Sequence, residues 1–310
     1  MKKTKFLPII FLAIVLIALL SWYLSHHIVA VLSPAGEVAR RERDLIFICL
    51  GLAVFVVVPV FVMAASIAWR YREDNHKIKE RKYSPDWDHS KLYESLWWGI
   101  PICIIGILSV ITWESSHALD PYKPLSSTVP AMQVDVVALD WKWLFIYPQQ
   151  HIASVNQLEI PVNVPIDFYI TSDTVMNSFW VPQLGGQIYA MPGMATQLHL
   201  IANKTGGFYG SSANISGDGF ASMHFMTYSV SQANFNKWAN NAAKSPKQLT
   251  GAAYSQLAKP SQNNPVAYYS YVPSDMYDTI VTKYMTPSST SGSSTNTSYG
   301  TSNTSGLYVQ

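Results

Sequence analysis

Glu94, the histidines and the two cysteines are the residues whose types invite chemistry, and their spacing limits what that chemistry can be. Cys49 and Cys103 both fall inside long apolar segments. No thiol follows Cys103, so the later part of the chain can build neither a disulfide nor a thiolate metal centre. His117, His151, His199 and His224 are scattered, with no His-x-x-x-His spacing and no carboxylate arranged beside them, and do not read as a protein-built metal site. His199 lies in an alternating segment and is expected to face solvent. Nucleophile–base pairs, phosphate-cradling glycine loops and paired carboxylates are absent, and Gly185-Gly186 and Gly206-Gly207 read as turns. Trp141 and Trp143 could be stepping stones for electrons, but packing is the expected role of such large rings. Glu94 stands at the edge of an apolar segment, where an ionisable group can collect protons and pass them inward. It also suits a plain helix-start carboxylate favoured by the macrodipole. The chain alone therefore carries no catalytic centre.

The elements that must position these residues divide into two kinds. Of the 310 residues 49% are hydrophobic and 13% charged, and the apolar ones concentrate in the first third. Residues 6–24, 45–69 and 96–113 are long and apolar enough to cross a bilayer, with Trp69, Trp97, Trp98 and Trp113 at segment ends. Arg70, Arg72, Lys77, Lys79, Arg81, Lys82 and Lys91 lie between the last two, and Lys2, Lys3 and Lys5 precede the first; both regions are expected inside, with everything after residue 113 outside. Arg40, Arg41 and Arg43 run against this scheme, although Glu37, Glu42 and Asp44 are mixed among them. The first segment reads either as a signal peptide or as a retained helix. A net charge of +2 without a basic stripe gives no case for nucleic acid.

Residues 132–139, 144–147, 166–171, 197–202 and 220–229 predict strands, parted by Pro, Gly and Asn. With no strand–helix alternation they predict an antiparallel sandwich. Helices are expected over 232–244, 250–259 and 274–285 as a small cap. The Ser, Thr, Gly and Asn-rich tail over 287–310 is expected to stay disordered. The plan is thus a signal or first helix (1–30), a transmembrane hairpin (31–120), an exported domain (121–230), a helical cap (231–286) and a tail (287–310).

Three runs carry a resemblance. Asp140-Trp141-Lys142-Trp143 resembles the aromatic opening of the extramembrane domain of cytochrome oxidase subunit II. Val175-Met176-Asn177-Ser178-Phe179-Trp180-Val181-Pro182 resembles the segment with its first copper-binding histidine, and residues 209–223 resemble its copper loop. The likeness extends over residues 34–285 and is nearest to subunit II of bo3-type ubiquinol oxidases. It implies a cupredoxin-like sandwich on two membrane helices, bound to a subunit I that holds the haems, the copper and the quinol site.

At the positions matching the copper ligands this chain has Ser212 and Ser216 for the cysteines, and Asn177 and Phe220 for the histidines. Only Met223 is kept. A serine hydroxyl stays protonated at neutral pH and is a hard, poor ligand, so one thioether cannot hold a copper pair. Asn214 also replaces the loop carboxylate of the copper-binding relatives, and the cysteine used for lipid attachment near residue 20 is missing. Glu94 matches the family's glutamate at the mouth of a proton-uptake channel. The resemblance implies a proton-pumping quinol oxidase subunit without a redox centre or cofactor of its own. It would sit in a bacterial inner membrane with its C-terminal domain periplasmic. The implied partners are subunit I, other oxidase subunits and membrane lipid, with quinol reached through subunit I. Two alternatives stay open: a membrane-anchored cupredoxin-like binding or assembly protein outside an oxidase, and a cytochrome c oxidase subunit II.

Overall fold

The computed structural model describes residues 29–71 and 88–285, with residues 11, 15, 18, 19, 22 and 23. Most of the first apolar segment, the basic loop from 72 to 87 and the polar tail lie outside the described residues.

Among the described residues, two helices, α1 (Glu37–Arg70) and α2 (Lys91–Ala118), are long and apolar enough to cross a membrane. Their side chains point outward uncovered; Phe61 is 71% and Trp113 70% exposed, which only an apolar medium or partner explains. α1 has 34 residues, about 51 Å at 1.5 Å per residue, well beyond a bilayer core of about 30 Å. Its first two turns therefore stand clear of the apolar span. They carry the arginines that ran against the charge scheme, with Arg41 paired to Glu37 and Arg43 to Asp44.

Among the described residues, eleven strands form two facing sheets: β1 (Met132–Leu139), β2 (Lys142–Tyr147), β3 (Ile152–Val155), β4 (Gln157–Pro161), β5 (Pro165–Ser172), β6 (Asn177–Trp180), β7 (Ile188–Ala190), β8 (Thr196–Ile201), β9 (Gly206–Ser212), β10 (His224–Val230) and β11 (Ala267–Tyr269). One sheet runs β11-β3-β2-β1-β5-β8 and the other β4-β10-β9-β6-β7. The expected sandwich is present, with one difference. β1 pairs with β5 and β10 with β4 in parallel, because each connection crosses between the sheets before returning. The short strands β3, β4, β6, β7 and β11 escaped the sequence pattern, as did β9, which begins at Gly206-Gly207 where a turn was expected, and residues 220–222 form a 3-10 turn where strand was expected.

Three helices follow: α3 (Gln232–Ala242), α4 (Gly251–Leu257) and α5 (Met276–Thr282). Ser231 and Thr250 cap α3 and α4 by accepting the N–H groups of Asn234 and Ala253. Strand β2 shows why its sequence does not alternate in polarity. Trp143, Phe145 and Tyr147 enter the core between the sheets, while Leu144 and Ile146 point the other way into a second core with Tyr254, Tyr277 and Ile280 of α4 and α5. A strand buried on both faces reads as a continuous apolar run. Phe235, Ala239 and Ala242 of α3 join the inner core instead, with Trp238 against the Tyr147 ring.

The sandwich is stitched to the hairpin by backbone. Ala35 and Gly36 N–H donate to Gln183 O at 2.7 and 3.0 Å, Ala39 N–H to Leu184 O at 3.1 Å, and Asn203 N–H to Ala35 O at 2.8 Å.

Candidate functional site

The loop from the end of β9 to the start of β10 folds against β6 and brings Asn177, Ser212, Ser216 and Met223 together, all buried. Ser212 Oγ lies 3.1 Å from Asn177 Oδ1 and 3.2 Å from Asn214 O. Asn177 Nδ2 donates to Val175 O at 3.0 Å, so both ends of its amide are used within the protein. Ser216 Oγ lies 3.9 Å from Met223 Sδ. Phe220 sits on the 3-10 turn at the edge of this group and is partly exposed.

Trp141 covers the loop from the opposite sheet. Its Nε1 donates to Ser216 O at 3.1 Å. A Cβ on Gly219 would fall 2.3 Å from the indole Cδ2, and Gly217 has φ +110°, so two glycines let the loop lie flat on the ring. The peptide between Asp140 and Trp141 is cis. Chemically the cluster is a set of neutral donors and acceptors that satisfy one another, with one thioether. It lacks thiolate and imidazole, and does not fit a copper pair. Among the described residues, no group of three or more His, Cys, Asp or Glu is gathered as a metal would need.

Glu94 lies on the first turn of α2, far along the chain from this loop. Its Oε1 accepts Ser90 N–H at 3.3 Å and lies 2.7 Å from His89 Nδ1. Cys49 and Cys103 are free and exposed on the two long helices.

His199 corrects the sequence reading. It is buried, not solvent-facing, and a carboxylate does stand beside it: Nδ1 lies 2.6 Å from Asp167 Oδ1 on the neighbouring strand. The outer face of β8 is covered by the start of α1 and the turn after α2, which local alternation could not reveal. His117 caps its own helix through Trp113 O, His151 is a turn residue with φ 55°, and His224 stacks on Tyr209 at the surface.

Trp143 is fully buried, edge-on to Phe179 and Phe225 at 5.5 and 5.8 Å. Between the two tryptophans, Lys142 is buried and its ammonium donates to Asp140 O, Lys259 O and Ser261 Oγ, which ties the cap segment to the aromatic run. Its burial lowers the amine below the usual lysine range, with Asp140 opposing. Two further buried groups gave no sequence signal. Asp173 accepts from Tyr254, Lys283 and Tyr284, and Asp135 lies beneath α5 with Gln133 Nε2 donating to it at 2.8 Å. Burial pushes the Asp135 carboxyl up to about 6; the Gln133 bond opposes this and nearby Asp278 adds to it.

Residues 130–230 match the family described as cytochrome c oxidase subunit II, periplasmic domain, and residues 243–288 match the COX aromatic rich motif. The chain is 51% identical over 274 residues to cytochrome bo(3) ubiquinol oxidase subunit 2 of Pseudomonas putida, covering 88% of this chain and 84% of that protein. The chain belongs to the ubiquinol oxidase subunit 2 family. Ubiquinol oxidase subunit 2 of Acetobacter aceti is 50% identical, with 82% of each chain covered. The crystal structure of the periplasmic domain of subunit II of cytochrome oxidase from Bradyrhizobium japonicum is similar at 27% identity over 36% of this chain and 94% of that one, with a TM-score of 0.35. As a subunit 2 of this family the chain is a membrane-anchored part of an oxidoreductase complex, and the aromatic rich motif coincides with the two helices that form the second core.

Proposed function

We propose that this chain is the subunit of a proton-translocating quinol oxidase that scaffolds the outer surface of subunit I and carries no redox centre. The supporting observation is the Ser212–Asn177 hydrogen bond, 3.1 Å long, where the copper-binding branch needs thiolate and imidazole. A soluble electron donor requires a relay in the outer domain, whereas a quinol dissolves in the bilayer and reaches subunit I directly. Haems and copper then belong to subunit I. The domain plan read from the sequence fits this role: a hairpin in the inner membrane, the sandwich on the periplasmic side, and the cap on its outer face. Extraction in mild detergent through a tag on this chain should bring along a haem-bearing polytopic partner and quinol-driven oxygen uptake. Recovery of the chain without haem would favour the assembly-protein alternative.

Glu94 is the residue proposed to act on protons, at the inner end of α2. His89 beside it supplies a second titratable group at 86% side-chain exposure. The bond from Ser90 N–H favours a second reading, a carboxylate that stabilises the helix start. Glu94→Gln keeps an oxygen acceptor for Ser90 and removes the acid. Proton entry predicts slower oxygen reduction at normal haem content; unchanged turnover would leave the helix-start role alone.

A further inference from the structure

The outer ends of α1 and α2, the turn after α2 and the covered face of β8 enclose a cavity of about 110 Å³, well above the ~10–15 Å³ that one water needs. Its polar wall combines Glu42 on α1, Asp120 and Lys123 after α2, and His199 on β8. Each carboxylate spends one oxygen internally: Glu42 Oε1 accepts Gly186 N–H and Asp120 Oδ1 accepts Tyr122 N–H, both at 3.0 Å. The second oxygen of each has no partner among the described residues, and Asp120 and Lys123 stand exposed at the mouth of the cavity, open to a ligand. The His199 side chain is 5% exposed and its Nε2 has no partner among the described residues. Two anionic groups facing one cationic group suit neither a bare anion nor a bare cation. They suit a zwitterion.

A second feature continues from the first. Ile105, Leu108, Ser109, Thr112, Trp113 and Ser116 line an open, mostly apolar groove of about 440 Å³ on α2. Their three- and four-residue spacing makes one stripe, and its next positions, Leu119 and Asp120, are in the cavity wall. Ser109 and Ser116 turn their hydroxyls back to Ile105 O and Trp113 O, so neither presents a free donor to the groove. The stripe is about 16 Å long at 1.5 Å per residue, roughly half of a ~30 Å bilayer core. It spans one leaflet, with the Trp113 indole toward its polar end, the depth such rings prefer.

We infer that cavity and groove form one binding site for a phospholipid with an amine-bearing zwitterionic headgroup. Lys123 takes the phosphate, Glu42 and Asp120 take the ammonium, and an acyl chain lies along the α2 stripe. The inference rests on the membrane placement in the proposed function. It does not depend on where electrons or protons enter.

The test uses the complex purified through this chain, washed with excess detergent and offered vesicles of ethanolamine, choline or glycerol phospholipid, with retained lipid counted by native mass spectrometry. The wild type should hold ethanolamine lipid in preference to choline lipid, whose quaternary nitrogen cannot donate hydrogen bonds. Lys123→Ala should lower retention of both by about tenfold, the scale of one charge-assisted hydrogen bond. Glu42→Gln with Asp120→Asn should erase the preference at unchanged haem content. Equal retention across all variants would overturn the site. Displacement by inorganic phosphate would assign the cavity to the free ion instead, and a photoreactive residue at position 123 that crosslinks only to another subunit would assign it to protein. Absence of a haem-bearing partner from the wild type would count against the proposed function, not against this site.

Discussion

Asp135 shows how a single carboxyl couples this domain to pH. The residue is 4% exposed, and Gln133, His151, Tyr277 and Asp278 are the polar or titratable groups around it. Its folded pKa of about 6 lies above the ~3.9 of an unfolded chain. Its contribution to stability is therefore fully present below about pH 4 and is lost as pH rises through about 6. Asp135→Asn does not titrate, so it should melt higher than wild type at about pH 7.5 and equally at about pH 4. A carboxyl held at about 6, against ~3.9 in an unfolded chain, corresponds to about 2–3 kcal/mol. Thermal melts at the two pH values check this, and a gap that does not change with pH would contradict it. The neutral character of Asn177, Ser212 and Ser216 was legible in the sequence because residue identity alone excludes soft coordination. Asp135 and His199 were not, since their burial comes from elements more than 70 residues away in the chain that cover the outer faces of β1 and β8.

The cap belongs to the scale of elements. Its docking combines the second core, with Leu144 and Ile146 under Tyr254, Tyr277 and Ile280, and one polar anchor. Asp173 has a side chain only 1% exposed and accepts Tyr254 Oη at 2.7 Å, Lys283 Nζ at 2.7 Å and Tyr284 Oη at 2.9 Å. Asp173→Ala leaves the Tyr254 hydroxyl and the Lys283 ammonium without their acceptor, while Tyr284 Oη keeps the backbone Asp173 O at 3.0 Å. Lys283 is 55% exposed and recovers water, so the expected cost is roughly 2 kcal/mol. Limited proteolysis should then cut first within residues 243–285, and a cap as resistant as in wild type would contradict the anchor. The helices of the cap were legible to within two or three residues, because amphipathic spacing and the Ser231 and Thr250 caps are local. The five short strands were not. Strands of three to five residues gain their definition from partners across the sheet, and β11 pairs with β3 from more than 100 residues away.

For the whole molecule the joint between hairpin and sandwich matters most, because it fixes the position of the long apolar helices relative to the sandwich. Gly36 sits at its centre; a Cβ there would meet Ile201 O at 2.6 Å and Leu184 O at 2.7 Å. Backbone oxygens cannot rotate away. Gly36→Ala should cost about 1–3 kcal/mol and lower the yield of haem-bearing complex recovered through this chain, and normal recovery and melting would show that the joint is not tight. The central claim of the proposed function is that the sandwich is a frame without a redox centre, in which Asn177 and Ser212 bond each other. It is tested most directly by separating this chain from the active complex and measuring its copper content together with its electron paramagnetic resonance spectrum. The account predicts that the copper stays with the haem-bearing subunit while this chain gives no paired-copper signal; two copper ions per chain with a mixed-valence spectrum would contradict it.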